Sequence, residues 1–293
     1  MRRTLQFLIL AALLCVQVNA QDDRFSQLNE ENVAGFAKPL VTSLGMGLNS
    51  GAFHTADVSS TFGFGISFRF MYIMVPDDQR TFTPTLPDGY TANESTPTFY
   101  GSKTGASYAG PGGYITFPGG VDESAIPFAM PQITASFMGT EALIRFIPTI
   151  KAGEEEISFF GIGIKHSISQ YIPLMPLDIA AQVMYNKIKF GSIVEGTNIV
   201  FNAQASKSFG LFTAYGGLQY ESSKFDVNYT FEGDPNSQIP EFQQDRKISA
   251  EIEGDNNFRF IVGGTIRLAV IAINADLSLG SQTVVTTGLS FEF

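Results

Sequence analysis

The sequence predicts an all-β protein: a transmembrane antiparallel β-barrel of about ten strands, within roughly 8–14, preceded by a short helical segment. Three observations carry that expectation. Segments of about ten residues recur with a two-residue hydrophobic period from Thr61 to the last residue, and ten residues is the length a tilted strand needs to cross a bilayer. One face of these segments is apolar and aromatic, the other small or polar. The composition agrees: 27 Phe, 10 Tyr and 29 Gly with only 16% charged residues, and after the first twenty residues no apolar run is long enough for a spanning helix.

Met1 to Ala20 reads as a secretory signal peptide. Arg2 and Arg3 open it, Leu5 to Val18 form a short apolar core, and Val18-Asn19-Ala20 fits a cleavage site. A lipid-anchored alternative through Cys15 suffers from Leu14, which stands where such a site wants a small residue. Cleavage removes two arginines and the single cysteine. The mature chain is then more acidic than the whole, whose formal charge is −10. That balance argues against nucleic acid as a partner.

Residues 21–58 form a helical, plug-like segment by expectation. Leu28, Val33, Phe36, Leu40 and Leu44 recur at roughly helical spacing. Pro39 is expected to break or restart the helix, and Gly45 to Val58 is small and polar. A loose periplasmic tail is the alternative. The barrel is expected over 59–293. Its first strand, Thr61 to Met74, sets Phe62, Phe64, Ile66, Phe68, Phe70, Tyr72 and Met74 opposite Gly63, Gly65, Ser67 and Arg69. Residues 76–129, rich in Pro, Gly, Ser and Thr, suit a long extracellular loop.

Strands follow at Ile133–Met138, Leu143–Lys151, Ile157–Ile168, Ile179–Tyr185, Ile199–Ala205, Leu211–Phe231, Lys247–Leu268, Ile271–Leu279 and Thr283–Phe293. Shifts near Glu221–Ser223 and Glu253–Asn257 suggest bulges. An even count places both chain ends in the periplasm, with short turns there and long loops outside. Thr283–Phe293 should close the barrel against Thr61–Met74.

The inner face carries Arg69, Arg145, Lys165, Glu221, Arg259, Arg267, Asp276 and Glu292. Such charges are costly in a dry core but ordinary in a barrel lumen, so they are the lumen and selectivity candidates. They form either a charged constriction or a packed network, which suits a barrel this narrow better. His54 and His166 are the only histidines. Neither sits in a metal-ligand pattern, and adjacent strand residues such as His166 and Ser167 face opposite ways. No cofactor is expected. Asp77, Asp78, Asp122, Glu123, Glu154, Glu155, Glu156 and Asp234 read as a solvated outer rim, with a calcium- or lipopolysaccharide-bridging role as the alternative.

Leu289, Phe291 and the terminal Phe293 resemble the signal read by the outer-membrane barrel-assembly machinery. GTEALIRFIPTI (139–150), FGIGIKHSISQYIP (160–173), PLDIAAQVMYNK (176–187) and LVTSLGMGLNSGAFHTA (40–56) resemble an uncharacterised family of outer-membrane proteins from Bacteroidota. More loosely, the prelude and long aromatic strands resemble FadL-type transporters, which are longer. The resemblance implies residence in the bacterial outer membrane, surrounded by lipid. It also implies passive transport or binding of a small solute, a hydrophobic one among the candidates, without enzymatic chemistry. The alternatives are an adaptor barrel presenting its loops to a partner, including a secretion-system shuttle, and an outer-membrane lipid hydrolase.

Overall fold

Strand β1 (Gly63–Met74) shows the rule by which the chain folds. Every odd-numbered residue is buried and every even-numbered one exposed. The side-chain period of a strand is two, so this face-to-face alternation needs a sheet with an inside and an outside. A computed structural model describes residues 28–152, 155–231, 235 and 243–293. The predicted leader with Cys15, and also Glu154 and Asp234, lie outside the described residues.

The long connection after β1 carries two small hairpins, β2 (Thr81–Phe82) with β3 (Thr96–Pro97) and β4 (Ser107–Gly110) with β5 (Gly113–Thr116). The remaining strands are β6 (Ala125–Phe137), β7 (Thr140–Ala152), β8 (Glu155–Ser167), β9 (Asp178–Phe190), β10 (Val194–Phe209), β11 (Phe212–Phe231), β12 (Arg246–Glu253), β13 (Phe258–Leu268), β14 (Ile271–Leu279) and β15 (Thr283–Glu292). Each main-sheet strand pairs antiparallel with its neighbours. β12 and β13 together face the single long β11, which pairs with one above and the other below. The predicted bulges at Glu221–Ser223 and Glu253–Asn257 are this junction, where the Glu221 N–H donates to Asn257 O at 2.9 Å.

Counting β12 and β13 as one, ten strands close into a barrel. The seam is β1 against β15, in register from Gly65 opposite Glu292 to Met74 opposite Thr283. Phe293 extends it, its N–H and C=O both bonded to Phe64. The fold class and the closing pair are therefore as expected. Closure gives each barrel strand but β12 a partner on both sides, and β12 pairs with β11 alone; an apolar surround demands such a closed ladder.

Two expectations about boundaries need correction. β6 begins at Ala125, eight residues before Ile133, because Pro127 and Pro131 hide its alternation. The outer loop is accordingly shorter than 76–129 and is built: Tyr108, Ile115 and Phe117 form a core of their own with Leu28.

The helix is the larger correction. α1 (Glu30–Asn49) runs unbroken through Pro39. A proline inside a helix costs about 3 kcal/mol. The wall offsets this locally: Gln282 Nε2 donates to Pro39 O at 3.2 Å, and its Oε1 accepts from Ser43 Oγ at 2.7 Å. Val41, Met46 and Leu48 pack against inward-facing Met71, Ile73, Met130, Phe159, Ile188 and Val284, each such burial contributing about 1.5–3 kcal/mol. Gly45 lies so close to the wall that a Cβ there would overlap Ser223 Oγ.

Four connections, 138–139, 168–177, 210–211 and 269–270, define one end of the barrel, the turn end. The long 75–124 connection lies at the other, the loop end. α1 starts at the loop end, where Asn32 Nδ2 donates to Thr85 O and its Oδ1 accepts from Thr85 N. Residues 50–62 continue downward until Ser59 O accepts from Gly139 N at the turn end. The two ends of the barrel wall meet at the turn end as expected, but Leu28 does not join them. The chain enters its own barrel from the loop side.

Candidate functional site

The helix supplies Glu30 and Glu31 for its positive end, and Asn29 caps it by accepting from Asn32 N at 2.9 Å. It has no basic residue in its last turn. Free carbonyls and partial negative charge collect there, and the wall supplies the cations. Arg145 Nη1 donates to Leu48 O at 2.7 Å and Nη2 to Ser50 O at 2.9 Å. Arg259 Nη1 donates to Met46 O at 3.2 Å and to Ser50 Oγ at 2.7 Å. Arg259 also pairs with Glu221 at 2.5 Å, and Gln219 and Asn256 donate to that carboxylate. Arg145, Arg259 and Glu221 are all buried: the two arginines clamp the helix end, Glu221 holds Arg259 in place, and none of the three lines a water path.

The other candidates lie nearer the turn end. Arg69 donates to Asn274 Oδ1 and, at 2.8 Å, to His54 Nδ1. Gly288 makes this possible, since a Cβ there would overlap the Arg69 guanidinium. His54 Nε2 reaches Glu292 Oε1 at 2.5 Å, and Arg267 reaches Glu292 Oε2 at 2.5 Å. Asn274 and Asp276 share Tyr215, whose hydroxyl donates to Asp276 Oδ2 at 2.9 Å. Lys165 pairs with Glu141 at 2.9 Å. Arg267 is the exception among the candidates: it is about half exposed, at the turn-end rim.

These groups wall a vestibule of about 770 Å³ open toward the turn end, with Arg69, His54, Lys165, Glu141 and Glu292 among its lining residues. Its ceiling is the Ala52–Thr55 stretch that follows the helix. Hydroxyls of Ser67, Thr134, Ser136 and Ser290 face it too. Sequence reasoning named Arg69, Lys165, Arg267, Asp276 and Glu292 as lumen candidates and His54 only as a histidine outside any metal-ligand pattern; it did not name Glu141, Gln132 or Tyr215. Glu141 was legible, since it shares a strand face with Leu143 and Arg145.

With Arg69 donating to Nδ1, His54 is the neutral Nε2–H tautomer.

His166 supports the 168–177 turn, Nδ1 to Thr140 Oγ1 at 2.8 Å and Nε2 to Tyr171 OH at 2.9 Å. Ser167 bonds instead to Ser169. Asp77 and Asp122 both face Arg80. Among the described residues, no group of three His, Cys, Asp or Glu could hold a metal ion.

The whole chain, residues 1–293, matches one family. It belongs to DUF6588, a family of unknown function. No curated protein matches the DUF6588 chain. Among solved structures it is similar to the outer membrane protease OmpT from Escherichia coli, at 9% identity and a TM-score of 0.33, covering 83% of this chain and 99% of that one. It is similar also to the loop-deletion mutant OmpTdeltaL8, an outer membrane protein of Vibrio cholerae, at 9% identity and a TM-score of 0.30, covering 79% and 98%. LpxR from Salmonella typhimurium matches at 8% identity and 0.29, covering 78% and 99%. Likeness this distant concerns the barrel fold and transfers no chemistry.

Proposed function

We propose that this DUF6588 chain is a bacterial outer-membrane barrel that holds a small solute in its vestibule and lets it pass only when α1 moves. The turn end faces the periplasm and the loop end the exterior. The observation that carries the reading is the division of the lumen. Its loop-side half is filled by a helix clamped on buried Arg145 and Arg259, and its turn-side half is a polar vestibule. A solute entering from below meets the Ala52–Thr55 ceiling. Further passage requires the clamp to release, and its bonds are to carbonyls and one serine hydroxyl, which water can replace. The prelude-plus-barrel likeness to FadL-type transporters agrees with a movable internal segment.

Planar-bilayer recording tests this. The full chain should show no sustained conductance, and a chain lacking residues 21–49 should conduct. A deletion that inserts but stays silent, or a parent that conducts steadily, sinks the gated reading.

A further inference from the structure

The turns at the turn end are apolar at their tips. Met138, Leu174, Leu211 and Val270 stand exposed on four separate connections, Leu174 completely. Three tip residues also sit in the left-handed backbone region: Met138 at φ 49°, Leu174 at φ 61° and Ala269 at φ 53°. Gly or Asn adopts that region with less strain. The other non-glycine there, among the described residues, is Asp122 in the long outer loop, a type that tolerates it. At three turn tips the sequence therefore accepts backbone strain to keep an apolar side chain where solvent would favour a polar one.

The tips continue the lipid-facing belt. Phe62, Phe137, Phe209, Leu268 and Phe293 stand just behind them, all exposed. They occur all round the barrel, between β6 and β7, β8 and β9, β10 and β11, and β13 and β14. One docked protein would favour one side; a bilayer meets every side. The mouth of the vestibule opens beside Phe62, Phe293 and the 168–177 turn. Ile172, Leu174, Met175 and Leu177 line it, whereas Arg69 and Lys165 lie deeper. Arg69 Nε is buried without a partner, so one donor is free.

We infer that the turn end is sunk in the inner leaflet and that the vestibule takes a single-chain amphiphile from it. The polar head meets Lys165 and Arg69, and the chain lies along Ile172, Leu174 and Leu177. The head is zwitterionic, because Glu141, Glu292, Asp57 and Asp178 answer the cations on the same walls. The cavity volume falls within the roughly 300–1,000 Å³ of small-molecule sites. The assignment rests on the vestibule being a binding site, as proposed above.

Two measurements on the full chain in phospholipid nanodiscs test it. Single cysteines at Leu174, Val270 and, on the loop side, Ser192 carry an environment-sensitive fluorophore. Lipids nitroxide-labelled on the acyl chain should quench positions 174 and 270, and aqueous iodide should quench 192. Iodide quenching 174 and 270 as strongly as 192 overturns the immersion, leaving a protein partner as the reading of the tips. Spin-labelled lysophosphatidylcholine should be retained by the parent and bind about tenfold more weakly to Leu174→Asn/Leu177→Asn. Lys165→Met should weaken it as well, and glycerophosphocholine alone should not displace it. Unchanged retention in the double variant overturns the amphiphile assignment. Neither failure touches the conductance result, so the gated reading stands or falls separately.

Discussion

Replacing Arg259 by alanine is expected to cost the folded barrel about 3–5 kcal/mol, the penalty for stranding a buried charge. Glu221 lies 2.5 Å from the guanidinium, and both side chains are about 1% exposed. After the substitution Glu221 keeps its bonds from Gln219 and Asn256 but has no counter-ion. The helix loses its bonds through Met46 O and Ser50 Oγ. Desolvation decides the sign here, because a pair this deep has forfeited most of its hydration before any attraction is counted. The control is Arg259→Met/Glu221→Leu, which removes both charges and keeps volume; it should recover most of the loss. Urea unfolding in detergent, followed by far-UV circular dichroism, reads both. A single variant within about 1 kcal/mol of the parent would mean that water reaches Glu221. Arg145→Ala should cost less, about 1–3 kcal/mol. Its partners are Gln132 and backbone carbonyls, so its removal orphans acceptors but no opposite charge.

The asymmetry between the two arginines was not visible in the sequence, and the reason is physical. Strand parity states which residues point inward, and it placed Arg69, Arg145, Lys165, Glu221, Arg259 and Asp276 correctly on the inner face. It says nothing about height along the barrel or about what fills the lumen. Pairing is set by register, and register by turns whose lengths the sequence only brackets. The plug did leave a legible trace. In the loop-side half of several strands the inner face turns apolar: Met71 and Ile73 in β1, Ile126 and Met130 in β6, Ile188 in β9, Val284 in β15. A water-filled lumen would not select these residues. Read together with the apolar stripe of Val41, Leu44 and Leu48, they specify a helix inside the barrel at that height. Pro39 obscured the stripe, because its local cost is real and only the surrounding wall outweighs it.

A cysteine at Glu31 should react with a membrane-impermeant maleimide on intact cells, whereas one at Ser60 should react only after the outer membrane is opened. Both positions are exposed, and the one natural cysteine, Cys15, falls in the predicted leader. The expectation follows from the direction of α1. Leu28 packs with Tyr108, Ile115 and Phe117 at the loop end, and Ser59 is bonded to Gly139 at the turn end. A twenty-residue helix covers about 30 Å, comparable to the apolar core of a bilayer. No described helix is long and apolar enough to cross a membrane by itself, and α1 carries Asn32, Thr42, Ser43 and Asn49 on buried positions. It passes through because the barrel surrounds it with partners such as Gln282 and Asn186. The route constrains assembly. A closed barrel would have to admit the segment past the Arg145–Arg259 clamp, whereas an open sheet can lay itself around a helix already in place. The expectation is that the β1–β15 seam forms last, with the strand ending in Leu289, Phe291 and Phe293 closing around an occupied lumen. Equal labelling of Glu31→Cys and Ser60→Cys on intact cells, or the reverse order, would refute the threaded path and with it this order of closure.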